Sequence, residues 1–425
     1  MKFYKKPIFT GFSPNLTLSD TFTACGFLFL PWKWARLRSG EAPQKVEAWL
    51  QKYFGSKHAY TYDSGRTALH HALKACRVRE DDEVLVQSYT CMVVSNAIIW
   101  TGAKPVYVDV GDDFNMDSAN LEKKITDKSK VLIIQHTYGK PADLKRLIKI
   151  AKENNLKIIE DCAHSFGTKH DEKLLGTFGD IGMFSFGSDK ILSCVRGGGL
   201  ITSNKNIANK LTELQSRLPL SRRIKIIQHL LHYIIFSKGK PIYNLGVGKW
   251  VLGISKKLNL MNKIIYSPEK HGKQVLFYPS LLPNSLATIL VKQFKTFEKV
   301  NKHRQEIAKL YNDKIITHRV SVCSDNTKIT KPEWSDESIW LRYTLLVDHP
   351  EKLHAQAKKQ GIILGNWYNN VIAPKDIDLE KSGYKTGDCP NAEKLSSMSI
   401  NLPTNRHTTT KDTEKIIKIV NRYLS

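Results

Sequence analysis

The 425-residue chain contains no run approaching the 18 or more uninterrupted apolar residues that a membrane-spanning helix needs. The most apolar stretches, around residues 27–30 and 230–236, are short and broken by charge or histidine, so hydropathy excludes an integral membrane protein. The basic start Met1-Lys-Phe-Tyr-Lys-Lys is not followed by an apolar region and a small-residue cleavage site, which argues against export. The seven cysteines, at 25, 76, 91, 162, 194, 323 and 389, form no CxxC pair, which fits neither a disulfide framework nor a zinc site. A reducing cytoplasm and no metal are the expectations. Glycine (25) and proline (16) are too sparse for a collagen-like or low-complexity chain, and 41% hydrophobic residues are too many for a disordered one.

Acidic residues are also scarce: 40 Asp and Glu face 65 Lys and Arg, a net charge of +25 that attracts polyanions, acidic membrane surfaces or phosphorylated substrates. The imbalance is local. Between Lys205 and Lys273 there are 14 basic residues against only Glu213 and Glu269, or +12 in one segment.

From about residue 60 to 205, short β-branched runs alternate with helical patterns. Val84-Leu-Val, Val106-Tyr-Val-Asp-Val, Val131-Leu-Ile-Ile, Lys157-Ile-Ile-Glu and residues 181–186 read as buried strands; residues 68–75 and 142–154 read as amphipathic helices. The pattern predicts an α/β sandwich around a mainly parallel sheet, which takes ligands at the carboxyl ends of its strands. Residues 286–315 read as one long helix. A boundary is expected near 320–335, followed by a strand at 343–347, a helix at 350–360 closed by Gly361, and a terminal helix at 410–423. The expected organisation is an N-terminal arm (1–53), a large domain (54–320) with a basic, partly amphipathic insertion (205–275), and a small α+β domain (321–425).

Three pieces carry chemistry. In Asp63-Ser-Gly-Arg-Thr-Ala-Leu, a serine and a glycine open a helix, whose free N–H groups and positive dipole end suit a phosphate; the same residues also make an ordinary serine cap. In Ile158-Ile-Glu-Asp-Cys-Ala-His, Asp161 follows a strand and can keep a heterocyclic nitrogen protonated, with His164 three residues on. In the run from Gly179-Asp to Gly197-Gly-Gly, a strand delivers Ser185 and then Lys190 into a loop, and the glycines are expected to permit close backbone approach to that lysine. A desolvated lysine amine is a nucleophile toward aldehydes. Together these are what pyridoxal 5'-phosphate requires. The helix start and Ser185 would take its phosphate, Asp161 its ring nitrogen, and Lys190 its aldehyde carbon.

With these motifs in order, joined by Gly102-Ala-Lys-Pro-Val-Tyr-Val-Asp-Val, Cys389-Pro-Asn-Ala-Glu and Asn401-Leu-Pro, the chain resembles the DegT/DnrJ/EryC1/StrS aminotransferases. The resemblance implies a fold-type I pyridoxal phosphate enzyme, a homodimer, that moves an amino group from an amino acid, usually glutamate, to a nucleotide-linked keto sugar in polysaccharide or amino-sugar biosynthesis. It further implies that Gly65 and Arg66 give backbone N–H groups to the phosphate, that Tyr89 stacks on the pyridine ring, and that His164 approaches the ring hydroxyl. Members with histidine at the lysine position resemble sugar dehydratases, so Lys190 points to transamination. The alternatives are a dehydratase or a non-catalytic sugar-nucleotide binder of the same fold. Where the family supplies a phosphate contact from the neighbouring subunit through an asparagine-arginine stretch, this sequence has Phe277-Tyr-Pro-Ser-Leu-Leu-Pro. Trp367-Tyr-Asn-Asn resembles the segment near the substrate mouth.

The basic segment leaves two further readings. Residues 220–262 mix Ile, Leu, Tyr and Trp with lysines, as a helix lying against anionic lipid at the inner face of the membrane would, or as a helix packing in a dimer would. The overall basicity also suits nucleic acid, but no DNA- or RNA-reading motif is present, so no specific nucleic-acid partner is expected.

Overall fold

The computed structural model describes residues 7–316 and 329–424. Part of the expected boundary near 320–335 therefore lies outside the described residues. The N-terminal stretch gives α1 (Leu18–Phe29) and α2 (Ala42–Phe54). Seven strands then build one sheet: β1 (His58–Tyr62), β2 (Glu83–Gln87), β3 (Lys104–Val108), β4 (Ser129–Gln135), β5 (Lys157–Asp161), β6 (Ile181–Ser185) and β7 (Gly198–Thr202). Their spatial order is β1-β7-β6-β5-β4-β2-β3, and only β7 runs against its neighbours. The crossovers include α3 (Gly65–Ala75), α4 (Met92–Ile99), α5 (Ser118–Lys124) and α6 (Leu144–Glu153), with α7 (Lys205–Ser216) after β7.

The continuous apolar runs are explained by burial on both faces of the sheet. Val84, Val131, Ile133, Ile159 and Met183 join Ala68, Leu69, Ala72 and Leu73 of α3 in one core. Leu85, Leu132, Ile134, Ile158 and Phe184 join Val46 and Leu50 of α2 in the other.

Beyond α7, α8 (Arg223–Gly239) buries Ile226, Leu230, Tyr233 and Phe236 and packs against α1. Next, α9 (Val247–Lys257) leaves Val247, Trp250, Val251 and Ile254 exposed. The single helix expected over 286–315 is two: α10 (Asn284–Gln293) and α11 (Phe297–Lys314). The break lets Leu286, Ile289 and Leu290 stay in the large core while Ile307, Ala308 and Tyr311 enter a third. That third core lies under β8 (Ile329–Thr330), β9 (Arg342–Val347) and β10 (Ser399–Pro403), an antiparallel sheet. The N-terminal residues Ile8 and Phe9 pair in parallel with Ile362 and Ile363 of this C-terminal part.

Candidate cofactor and active site

One cavity opens at the carboxyl ends of β5 and β6 and is lined by Gly65, Arg66, Asp161, His164, Ser185 and Lys190. The phosphate end, the acid and the lysine inferred from separate motifs therefore share one space.

Strand alternation divides the two acids that end β5. Glu160 is fully buried and accepts N–H groups from Gly176, Phe178 and Gly179 at 2.8, 2.6 and 2.7 Å, fastening the loop before β6. Asp161 turns into the cavity, where its Oδ1 accepts from the Ala163 N–H at 2.9 Å. Burial raises its carboxyl pKa, opposed by that hydrogen bond and by the Lys190 charge.

At the start of α3, Ser64 is extended and its Oγ accepts from the Thr67 N–H at 3.3 Å, so the serine does act as a cap. The N–H groups of Gly65 and Arg66 have no acceptor within the helix, as first-turn donors never do. A Cβ on Gly65 would lie 2.9 Å from the Ser185 Oγ, so any side chain there would fill the cradle between helix and hydroxyl. Of the glycines at 197–199, Gly198 serves this same corner, while Gly197 faces Cys194 and Gly199 faces Leu50 and Phe186, a correction to their expected place beside Lys190. A Cβ on Gly198 would meet the Ser64 carbonyl oxygen at 2.4 Å and the Gly65 nitrogen at 2.7 Å.

Lys190 follows β6, its N–H bonded to the Gly187 carbonyl at 3.1 Å. Burial lowers its amine pKa, with Asp161 and Cys91 opposing. Distant residues hold its loop. Asn15 donates to the Lys190 carbonyl at 2.6 Å, and the Ser13 N–H and the Arg342 guanidinium reach the Asp189 carboxylate at 3.0 and 3.3 Å. His164 is buried, and its ring stacks with those of Tyr138 and Tyr368. Its Nδ1 accepts from the Tyr138 N–H at 3.3 Å, which assigns the proton of the neutral ring to Nε2. Burial first, then Lys190 and Arg342, depress its pKa well below the usual range, so it stays neutral.

Tyr89 does not reach the cavity. Its φ of 57° breaks the strand alternation, and its hydroxyl is buried against those of Tyr138 and Ser399 at 2.9 and 2.6 Å, with its ring on Phe114. Cys91, two residues on, lines the cavity instead. Sequence reasoning also passed over Arg196, Asn262 and Arg342, which line it too. Arg196 stood inside a quoted motif, whereas Arg342 sits in an ordinary strand with no local signal. Trp367 and Tyr368, singled out in the sequence, are at its wall.

This donor set fits pyridoxal phosphate: open helix N–H groups and a hydroxyl for an anion, a buried carboxylate for a ring nitrogen, a neutral N–H donor and a desolvated amine in one enclosure.

A family model described as the DegT/DnrJ/EryC1/StrS aminotransferase family matches residues 31–224 and 262–421. The intervening 225–261 holds nearly all of α8 and the whole of α9. An uncharacterised protein of Methanocaldococcus jannaschii is 29% identical over 388 residues, 91% of each chain. GDP-perosamine synthase of Escherichia coli O157:H7 is 39% identical over 172 residues, 40% of this chain and 47% of that one. Among solved structures, PseC of Helicobacter pylori, an aminotransferase involved in the biosynthesis of pseudoaminic acid, superposes with a TM-score of 0.70 at 18% identity, covering 99% of this chain and 98% of that one. NtdA of Bacillus subtilis, with bound cofactor PMP, gives 0.72 at 20% identity over 99% and 86%.

Proposed function

The chain belongs to the DegT/DnrJ/EryC1/StrS aminotransferase family, and on that premise we propose that it transfers an amino group from an amino acid, glutamate, to a nucleotide-linked keto sugar, using pyridoxal phosphate held by Lys190 and Asp161. The observation that carries this reading is that Lys190, Asp161 and the open start of α3 line one cavity.

Bound pyridoxal phosphate supplies an electron sink for the carbon that loses its proton. Gly65, Arg66 and Ser185 would hold the phosphate, Asp161 would keep the proton on the ring nitrogen, and the His164 Nε2–H would donate to the ring oxygen. Once free, the Lys190 amine would be the base that takes the proton from the donor's α-carbon and the acid that returns it two atoms away, across the nitrogen. Its burial helps, because a lowered pKa leaves more of the amine free to accept a proton near neutral pH. Arg342 places a cation at the same wall, suited to a substrate carboxylate. A lysine at this position, where related dehydratases carry histidine, favours transamination over dehydration.

Purified protein should be yellow, its long-wavelength band should bleach with glutamate and return with a keto sugar nucleotide, and Lys190→Ala should lack the band. A colourless wild type that takes up no pyridoxal phosphate would overturn the reading.

Two features of assembly complete the proposal: a homodimer, as the family resemblance suggests, and peripheral contact with anionic lipid from the cytoplasmic side. Supporting the second, no acidic residue lies between Glu213 and Glu269, and α9 exposes Val247, Trp250 and Ile254 among Lys249, Lys256 and Lys257. No described helix is long and apolar enough to cross a membrane.

A further inference from the structure

Arg196 is a buried cation with unused donors. It is 5% exposed, and its Nη1 donates to the Lys263 carbonyl at 3.2 Å, while Nε and Nη2 meet no partner among the described residues. Its guanidinium lies 4.6 Å from the ring centre of Tyr278 and 5.7 Å from that of Tyr266. It lines the cavity beside Ser64, Gly65 and Arg66. The backbone that carries it is pressed against the start of α3, since Gly198, two residues on, has no room for a Cβ beside Ser64 and Gly65.

The surrounding charge does not satisfy it. Arg66 is already paired with Glu269 and donates to the Ile264 carbonyl at 2.6 Å. Asp63 is engaged by the hydroxyls of Ser64 and Ser280 at 3.2 and 3.0 Å, and burial raises its carboxyl toward the neutral form. Lys225 and Lys263 add positive charge nearby. Four cations, Arg66, Arg196, Lys225 and Lys263, thus face two acids, Glu269 and Asp63. A buried, unpaired guanidinium is unfavourable unless an anion completes it, and its planar fork of N–H groups matches a phosphate.

We propose that Arg196 is a phosphate ligand of the cofactor, supplied by this chain to its own site, with Nε and Nη2 donating alongside the N–H groups of Gly65 and Arg66. The segment 262–272 holds it in place. That segment receives the Arg66 and Arg196 bonds at residues 264 and 263, and is tied at its far end by Asn96 to the Glu269 carbonyl and Trp100 to the Gly272 carbonyl, both at 2.9 Å. The inference rests on the pyridoxal phosphate reading.

The test titrates cofactor-free full-length protein with pyridoxal phosphate and, separately, with pyridoxal, which lacks the phosphate, following absorbance and intrinsic fluorescence. Arg196→Met should weaken pyridoxal phosphate binding at least tenfold while pyridoxal binding changes less than twofold, and Arg196→Lys should fall between. The pyridoxal arm doubles as a check on folding, since a collapsed site would lose both ligands. Equal losses for both ligands, or no loss for either, would overturn the role of Arg196 and leave the cofactor reading intact. A wild type that binds neither would overturn the cofactor reading itself. Co-expressed dimers of Lys190→Ala with Arg196→Met should bind no pyridoxal phosphate tightly; recovery of one tight site per dimer would show instead that Arg196 serves the other subunit.

Discussion

Replacing Glu269 by Gln probes the segment 262–272 beside the start of α3. The side chains of Arg66 and Glu269 are 7% and 0% exposed, and Glu269 also accepts the Tyr266 N–H at 2.8 Å. Such a pair contributes little by existing, because desolvation offsets the attraction. Removing one member is different, since it strands the other charge in the interior at about 3–5 kcal/mol. Glutamine keeps the shape and an acceptor oxygen for Tyr266, so the lower figure applies, about 3 kcal/mol. That loss falls mainly on residues 262–272, whose remaining ties include hydrogen bonds from Arg66, Arg196, Asn96, Trp100 and Asp378, one from Asn262 to the Val195 carbonyl, and the Lys270–Asp376 ion pair. At about 1.4 kcal/mol per tenfold, the open fraction of the segment should rise roughly a hundredfold. Limited trypsinolysis reads this directly: cleavage after Lys263, whose carbonyl is bonded in the closed form, should speed up by that factor when opening equilibrates faster than cutting. Cleavage after Lys273, already exposed, should not change. A Lys263 cleavage rate within twofold of wild type would refute the view that this ion pair holds the segment down.

Gly198→Ala should cost about 1–3 kcal/mol by overpacking against the Ser64 and Gly65 backbone and should weaken cofactor binding, checked by denaturant midpoint and by titration. Stability should fall as pH drops from 7 to 5. Burial lowers His71 to about 4 and His232 to about 3, so in this window only the unfolded chain takes up their protons, worth about 2 kcal/mol per histidine at pH 5. Urea midpoints at the two pH values test this, and His232→Gln should shrink the fall. Flotation with liposomes containing anionic lipid should recover the wild type, and Trp250→Glu with Ile254→Glu should abolish it; no wild-type flotation at low salt would remove the lipid contact.

The five strands of the sheet core and the residues that end them were legible because both faces of a parallel sheet are buried. Its strands therefore read as uninterrupted apolar runs, and the chemistry sits just past each run. Asp161 and Lys190 were found this way. What was not legible depends on backbone turns and distant packing. The positive φ at Tyr89 sends its ring inward and hands the wall to Cys91, which no alternation rule foresees. The glycine run was expected to approach Lys190, but the close approach is that of Gly198 to the Ser64 turn, 134 residues earlier in the chain. Arg342 reaches the cavity only because the C-terminal sheet is folded against the loop of Lys190. The split of 286–315 into α10 and α11 follows from each half entering a different core, information that helical spacing does not contain.

The tethers on the Lys190 loop have a consequence for how the protein becomes competent. Asn15 and Ser13 from one end of the chain and Arg342 from the other meet at Asp189 and the Lys190 carbonyl. The loop's placement thus depends on residues from both flanks of the sheet. Transplanting the loop alone into another sheet would carry the lysine without its address.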